Sequence, residues 1–349
     1  QSEGLLIEAQ SSNLLTYSED WTSSDFTKFV AITSNAGIAP TGELSADLVT
    51  ATSSTGDHLT RQSLTIVSGQ TFTMSVFAKA SGCNFVRIGG ASTAAMPAQA
   101  SFDLANGTVG TVDYGTAQIE DVGNGYYRCS VTGTAASSSS THFQVRLMQS
   151  DNTPSWTGDD FSGVLLFGQM AEQSSSVSSY IKTTSSSVSR AADSCSVVDA
   201  TLFSSGEHTI IWEGDTDYAP NDKRFFALSD GSMNNRFVAD HDNGTATRLR
   251  NWADGVKNVD KSTGVVDMLV GSHKLAATVK TNESQLVVDG TRRQVDTSCV
   301  VGSGIDQLAI NSTTTGAGST YNMNGHCKRI TYYNVALSQA EAEALTSNP

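Results

Sequence analysis

The sequence predicts an all-β protein: two β-sandwich (jelly-roll) domains in tandem, closed by one short C-terminal helix. Three observations predict it. Short runs of alternating apolar and polar residues recur along the chain, which is the period of a strand with one buried face. Clusters of turn residues separate these runs at the spacing usual in sandwiches. A helical pattern occurs only in the tail.

In the first half the strand runs are "TFTMSVFAKA" (71–80), "NFVRIGG" (84–90), "SFDLANGTVGTV" (101–112), "GYYRCSVTGTA" (125–135), "HFQVRLMQS" (142–150) and "GVLLFGQMAEQ" (163–173). The run at 101–112 should fold back at Asn106-Gly107, since both residues tolerate positive φ. In "HFQVRLMQ" the set Phe143, Val145 and Leu147 lies on one face, opposite His142, Gln144 and Arg146. "GVLLFG" is apolar on both faces and belongs at the centre of a sheet. Residues 172–194, "EQSSSVSSYIKTTSSSVSRAADS", are rich in serine and nearly uncharged, and read as a surface linker tethered by Tyr180 and Ile181. The expected division is therefore 1–171, a linker at 172–194, and 195–349.

The second half resumes with "EHTIIWEGD" (207–215), "RFFALSD" (224–230), "NRFVADHD" (235–242), "TRLRNWAD" (247–254), "HKLAATVKTNESQLVVDGTRRQVD" (273–296), "IDQLAIN" (305–311) and "HCKRITYYN" (326–334). Asp289-Gly290 marks a hairpin within it. The last strand alternates, Ile330 and Tyr332 against Thr331 and Tyr333. A helix then starts at Ser338, with Glu341 at capping-box spacing and Ala340, Ala342, Ala344 and Leu345 as helix formers.

Charge narrows the function. The 349 residues hold 21 Lys+Arg against 35 Asp+Glu, a formal charge of −14, which argues against nucleic acid and against an anionic membrane surface as partners. The same balance disfavours steering toward acidic polysaccharides. No apolar run nears the ~18 residues that span a bilayer, so no membrane insertion is expected. Five cysteines without a CxxC pair fit neither a zinc site nor a dense disulfide scaffold; they read as small buried hydrophobes, with Cys195 to Cys299 or Cys327 as the alternative. A start at Gln1 is compatible with a removed leader or upstream domain.

Residues 207–346 resemble the concanavalin A/laminin-G-like sandwich. The resemblance rests on "HKLAATVKTNESQLVVDGTRRQ", "IDQLAIN" and the closing "CKRITYYNVALSQAEAEALT". It implies a fold and leaves chemistry open, because lectins, hydrolases and lyases share it. Residues 4–194 resemble the N-terminal part of bacteriophage virion proteins, in which a carbohydrate-binding-module-like jelly roll precedes a lectin-like sandwich. The motifs are "GLLIEAQSSNLLTYSEDWTSSDFTK", "TFTMSVFAKA", "FDLANGTV", "GNGYYRCSVTGTA" and "GVLLFGQMAEQSSSVSSYIKTTSSSVSRAAD". That likeness implies a virion fibre, spike or decoration protein. Its partners would be a bacterial surface polysaccharide or glycan and other virion proteins, with a homo-oligomer as a further expectation. Related modules hold a structural Ca2+ between an acid near the first strand, here Glu19 or Asp20, and an Asp in the last strand. This chain departs from that pattern, since "GVLLFGQMAEQ" has no Asp.

For chemistry, hydrolysis needs two carboxylates flanking a glycosidic bond. The nearest arrangement is "WEGDTD", with Glu213, Asp215 and Asp217 at period two; Gly214 and the following "YAPNDK" suggest a strand running out into a loop. Elimination would need a Tyr or His base beside an Arg or Asn, and His241, His273, Tyr332 and Arg236 occur only singly. A polysaccharide lyase or glycoside hydrolase thus stands as the alternative to non-catalytic binding, and a purely structural subunit as a third reading. For metal, the oxygen-rich turn with Asp240, Asp242 and Asn243 is the candidate Ca2+ site. For sugar, aromatic faces beside polar turns single out Trp156 with Asp159 and Asp160, and Trp252 with Arg250. Trp21 and Trp212 read as core.

Overall fold

A computed structural model describes residues 4–203, 206–216, 224–241, 246–266, 271–310 and 325–347. The chain divides into two compact units, Ser11–Arg190 and Gln1–Gln10 together with Ala191–Pro349. The described strand pairings within the named sheets are antiparallel, so each unit is a pair of packed sheets, as the alternation predicts.

In the first unit one sheet runs, edge to edge, Thr108–Tyr114, Gln99–Asp103, Phe85–Gly90, Ser139–Met148, Thr55–Ile66 and Ser155–Thr157. Phe26–Lys28 adds to the flank of Thr55–Ile66. The opposing sheet runs Thr116–Gly123, Tyr126–Thr134, Thr71–Ser81, Gly163–Glu172, Leu44–Thr50 and Ala31–Ile38. Between them Phe72, Met74 and Val76 meet Val86, Ile88, Phe102, Phe143, Val145 and Leu147. Trp21 is 1% exposed and part of this core, which explains why it takes no other role.

Gly163–Glu172 is central and buried on both sides. Val164 and Leu166 face the core. Phe167 faces outward and is covered by Tyr180, whose ring lies 5.4 Å from it and 6.0 Å from Phe77. Tyr180 and Ile181 thus dock the serine-rich segment, as the sequence suggests. That segment is less a linker than a strap, because Val188–Arg190 pairs with Ser11–Asn13 inside the first unit. It packs against the outer face of the second sheet; the site described below lies on the outer face of the other.

In the second unit one sheet orders Leu5–Ile7, Gly325–Tyr333, His208–Thr216, Gly271–Lys280, Glu283–Val288 and Thr291–Asp296. The other orders Cys195–Val198, Gln307–Ile310, Arg224–Ser229, Arg236–His241, Ala246–Ala253 and Val256–Val266. Leu5–Ile7 differs from the expected division. It pairs with Gly325–Tyr333, and Ile7 fills the second core beside Trp212 and Phe225. Three residues carry too little pattern to announce this from sequence. His208–Thr216 also stays a strand to Thr216, where Gly214 had suggested an earlier exit.

The helix Gln339–Thr346 starts at Ser338 with both halves of the capping box formed. Ala342 packs with Ile211, Ala276 and Val287 on the outer face of the first-named sheet of this unit. All five cysteines are free, and four are buried, so they pack as small apolar groups.

Candidate functional site

Strand alternation builds the site. Ser139–Met148 sends Phe143, Val145 and Leu147 inward, which leaves Gln144 and Arg146 on the outer face. Antiparallel register sets Arg61 opposite Gln144 and Leu59 opposite Arg146 on that face. Lys28 and Phe29 follow from the short flanking strand, and the Phe29 amide donates to the Leu59 carbonyl at 2.8 Å. Asp57 and Ser155 are cross-strand partners at the far end.

Together these residues line an open groove of about 770 Å³, with Thr52, Ser54 and Thr55 adding hydroxyls. The volume falls within the ~300–1,000 Å³ of small-ligand sites. Phe29 is 52% exposed, unusual for a large apolar ring, and the Arg61 guanidinium carbon lies 5.9 Å from its centroid. Most of Gln144 is covered, while its side-chain amide opens to the groove and makes no hydrogen bond to any described residue.

The groove is also locally basic. Arg146 pairs with Asp57 at 3.5 Å. Lys28 donates to the carbonyls of Thr22 and Ser23, at 2.6 and 2.7 Å, which satisfies two of its three hydrogens without neutralising its charge. Arg87, the cross-strand partner of Arg146, is paired with Asp113. Burial, and then the Arg146 charge, hold its guanidinium pKa below the usual value. Burial likewise lowers His142, with the Arg61 charge adding to it. The arrangement offers an aromatic face, an unpartnered amide, hydroxyls and cations. It includes one carboxylate, Asp57.

The residues singled out by sequence lie elsewhere. Trp156 alternates with groove-lining Ser155 and turns the other way, packing against the core and edge-on to His58 at 4.9 Å. Asp159 organises a turn: it accepts from the Phe161 and Ser162 amides and the Ser162 hydroxyl, and these bonds hold its pKa at about 2. Asp160 sits at φ 62° and accepts the Ser53 amide at 2.8 Å. Both acids are committed to shaping the loop.

In the second unit the structure does bring Arg250 and Trp252 together on one sheet face. The Arg250 guanidinium carbon lies 5.4 Å from the Trp252 centroid and that of Arg236 lies 3.7 Å from it. Asp240, the described member of the expected Ca2+ site, is on the same face. It is fully buried and held by Arg224, Arg248 at 3.1 Å and Arg250, so its oxygens face guanidiniums. Asp242 and Asn243 lie outside the described residues, and among the described residues no cluster of three metal-ligating side chains occurs. Glu19 accepts from Tyr180 at 3.1 Å and Lys182 at 2.5 Å, while Asp20 accepts from Thr22. Of the acids in "WEGDTD", Asp215 pairs with Lys328 at 2.8 Å, and Asp217 is outside the described residues.

Sequence reading missed Phe29, Arg61 and Gln144 as a set. The one available signal was the polar face of "HFQVRLMQ".

No protein-family model matches the chain, and no curated protein matches it. Solved structures that it resembles include the CBM40 of an IT-sialidase from Ruminococcus gnavus, at 19% identity over 42% of this chain and 86% of that one, with a TM-score of 0.36. The NanB sialidase of Streptococcus pneumoniae is 18% identical over 44% of this chain and 27% of that one, with a TM-score of 0.37. A SAP-like pentraxin from Limulus polyphemus is 12% identical over 41% and 70%, with a TM-score of 0.34. Each likeness spans less than half of this chain.

Proposed function

We propose that this chain is a non-catalytic glycan-binding protein and that the glycan lies in the groove of the first sandwich. The observation that carries this reading is the Gln144 amide, open to the groove and without a hydrogen-bond partner in the protein, beside an exposed Phe29 ring. A sugar supplies what both lack: hydroxyls for the amide and an apolar C–H face for the ring. One lining carboxylate suits holding better than hydrolysis, which uses two. The ordered motifs in residues 4–194 support a setting in a bacteriophage virion, as a fibre, spike or decoration protein that contacts a bacterial surface polysaccharide.

Calorimetry of the full chain against host capsule and lipopolysaccharide tests the reading. Saturable binding is expected, weakened at least about tenfold in Gln144→Leu, as for loss of one or two hydrogen bonds in a desolvated site. Absence of binding to both polymers, or unchanged binding in Gln144→Leu, would sink it.

A further inference from the structure

The groove carries more positive charge than its own acid balances. Of its cations, Arg146 is matched by Asp57. Arg61 forms no ion pair with any described residue, and every residue of Ser11–Arg190 is described. Its Nε is buried and donates to no protein group. Lys28 is held by main-chain oxygens alone. Two of the three cations that line the groove, Lys28 and Arg61, therefore have no acidic partner, in a chain whose formal charge is −14.

Resting on the reading of this groove as a glycan site, we propose that the sugar it takes bears a carboxylate, held by Arg61 with Lys28 as the second cation, its ring on Phe29 and a hydroxyl on Gln144. A guanidinium presents parallel N–H donors in one plane, which matches the two oxygens of a carboxylate. A neutral sugar would offer that fork hydroxyl oxygens alone, without the charge or the paired oxygens that match it. The overall negative charge does not oppose this at physiological salt, where exposed charges beyond about 8 Å are largely screened. The local pair of cations then outweighs acids spread over the rest of the surface.

The test compares a uronate-containing oligosaccharide, the same oligosaccharide after reduction of its carboxyls to neutral hexoses, and a sulfated oligosaccharide of equal length. Each is titrated into the full chain and into Arg61→Gln at 0.15 M salt. The expected result is that carboxyl reduction weakens binding at least about tenfold, the worth of one charge-assisted hydrogen bond. Arg61→Gln should erase that difference, so that uronate and reduced sugar bind the variant within about twofold of each other. Equal affinity for uronate and reduced sugar overturns the carboxylate assignment and leaves the neutral-glycan reading standing. Preference for the sulfated sugar over the uronate overturns it too, as does discrimination that survives in Arg61→Gln. Binding of none of the three overturns both proposals.

Discussion

Arg61 and Phe29 meet in the groove, guanidinium carbon 5.9 Å from ring centroid, although Arg61 lies on Thr55–Ile66 and Phe29 just beyond the short strand Phe26–Lys28. The contact sets a cation beside an exposed aromatic ring. Phe29→Ala removes the platform. Because the ring is half exposed, the change in stability should stay within about 0.5 kcal/mol, while glycan affinity falls about tenfold, the usual scale of an aromatic contact of this kind. Paired calorimetry and urea titrations read both numbers. A stability loss that tracks the affinity loss would make Phe29 a structural residue.

His208 predicts acid sensitivity of the second unit. Its ring is 1% exposed, Nδ1 lies 2.8 Å from the Tyr332 hydroxyl, and burial pushes its pKa down to about 4. The unfolded chain titrates near the ordinary value of 6.5. Since the folded value is depressed, the unfolded state binds the proton first as pH falls. Stability is fully present above pH ~6.5 and is lost progressively toward pH ~4, on the order of 3 kcal/mol in all. His208→Gln should flatten the urea midpoint of that unit between pH 7 and pH 4.5. A midpoint that keeps its full pH dependence would assign the effect to another group.

Among the described residues Asp240 is the carboxylate that pairs with Arg224, Arg248 and Arg250, and its side chain is fully buried. Asp240→Asn keeps the shape and removes the charge, leaving guanidiniums buried without it. Breaking such a buried pair costs about 3–5 kcal/mol. Urea denaturation should show the second unit unfolding earlier, with added CaCl2 giving no protection to the native chain. A loss below about 1 kcal/mol would mean that the arginines are neutralised elsewhere.

At the tail, Ser338 Oγ donates to Glu341 at 2.6 Å, and accepts the Glu341 amide at 3.4 Å. Ser338→Ala should cost about 1 kcal/mol, as N-cap losses do. Hydrogen exchange should rise first in Gln339–Thr346. Exchange unchanged there would show that packing of Ala342 on Ile211 and Val287, and not the cap, sets the helix.

Much of the fold was legible because its signals are local. Alternation in "HFQVRLMQ", the Asn106-Gly107 turn and the Ser338–Glu341 spacing each operate within a few residues, and each is realised. Ala31–Ile38 and Thr55–Ile66 were missed because "AITSNAGI" does not alternate and "TGDHLTRQ" opens on turn residues. The groove was illegible for a different reason. Its lining comes from Lys28–Phe29, Thr52–Arg61 and Gln144–Arg146, segments that only sheet pairing brings together. Weighing tryptophans over phenylalanines favoured Trp156, whose ring turns inward, over Phe29. Net charge misled as well: −14 over the whole chain hides two uncompensated cations in one cleft.

The most direct test of the account is an NMR titration of the full chain, labelled at phenylalanine and glutamine side chains, with oligosaccharide from host capsule. The account predicts saturable shifts of the Phe29 ring and the Gln144 side-chain amide, while Phe143 and Phe203 stay still. Shifts confined to the second unit, or none at Phe29 and Gln144 under saturating sugar, would contradict it.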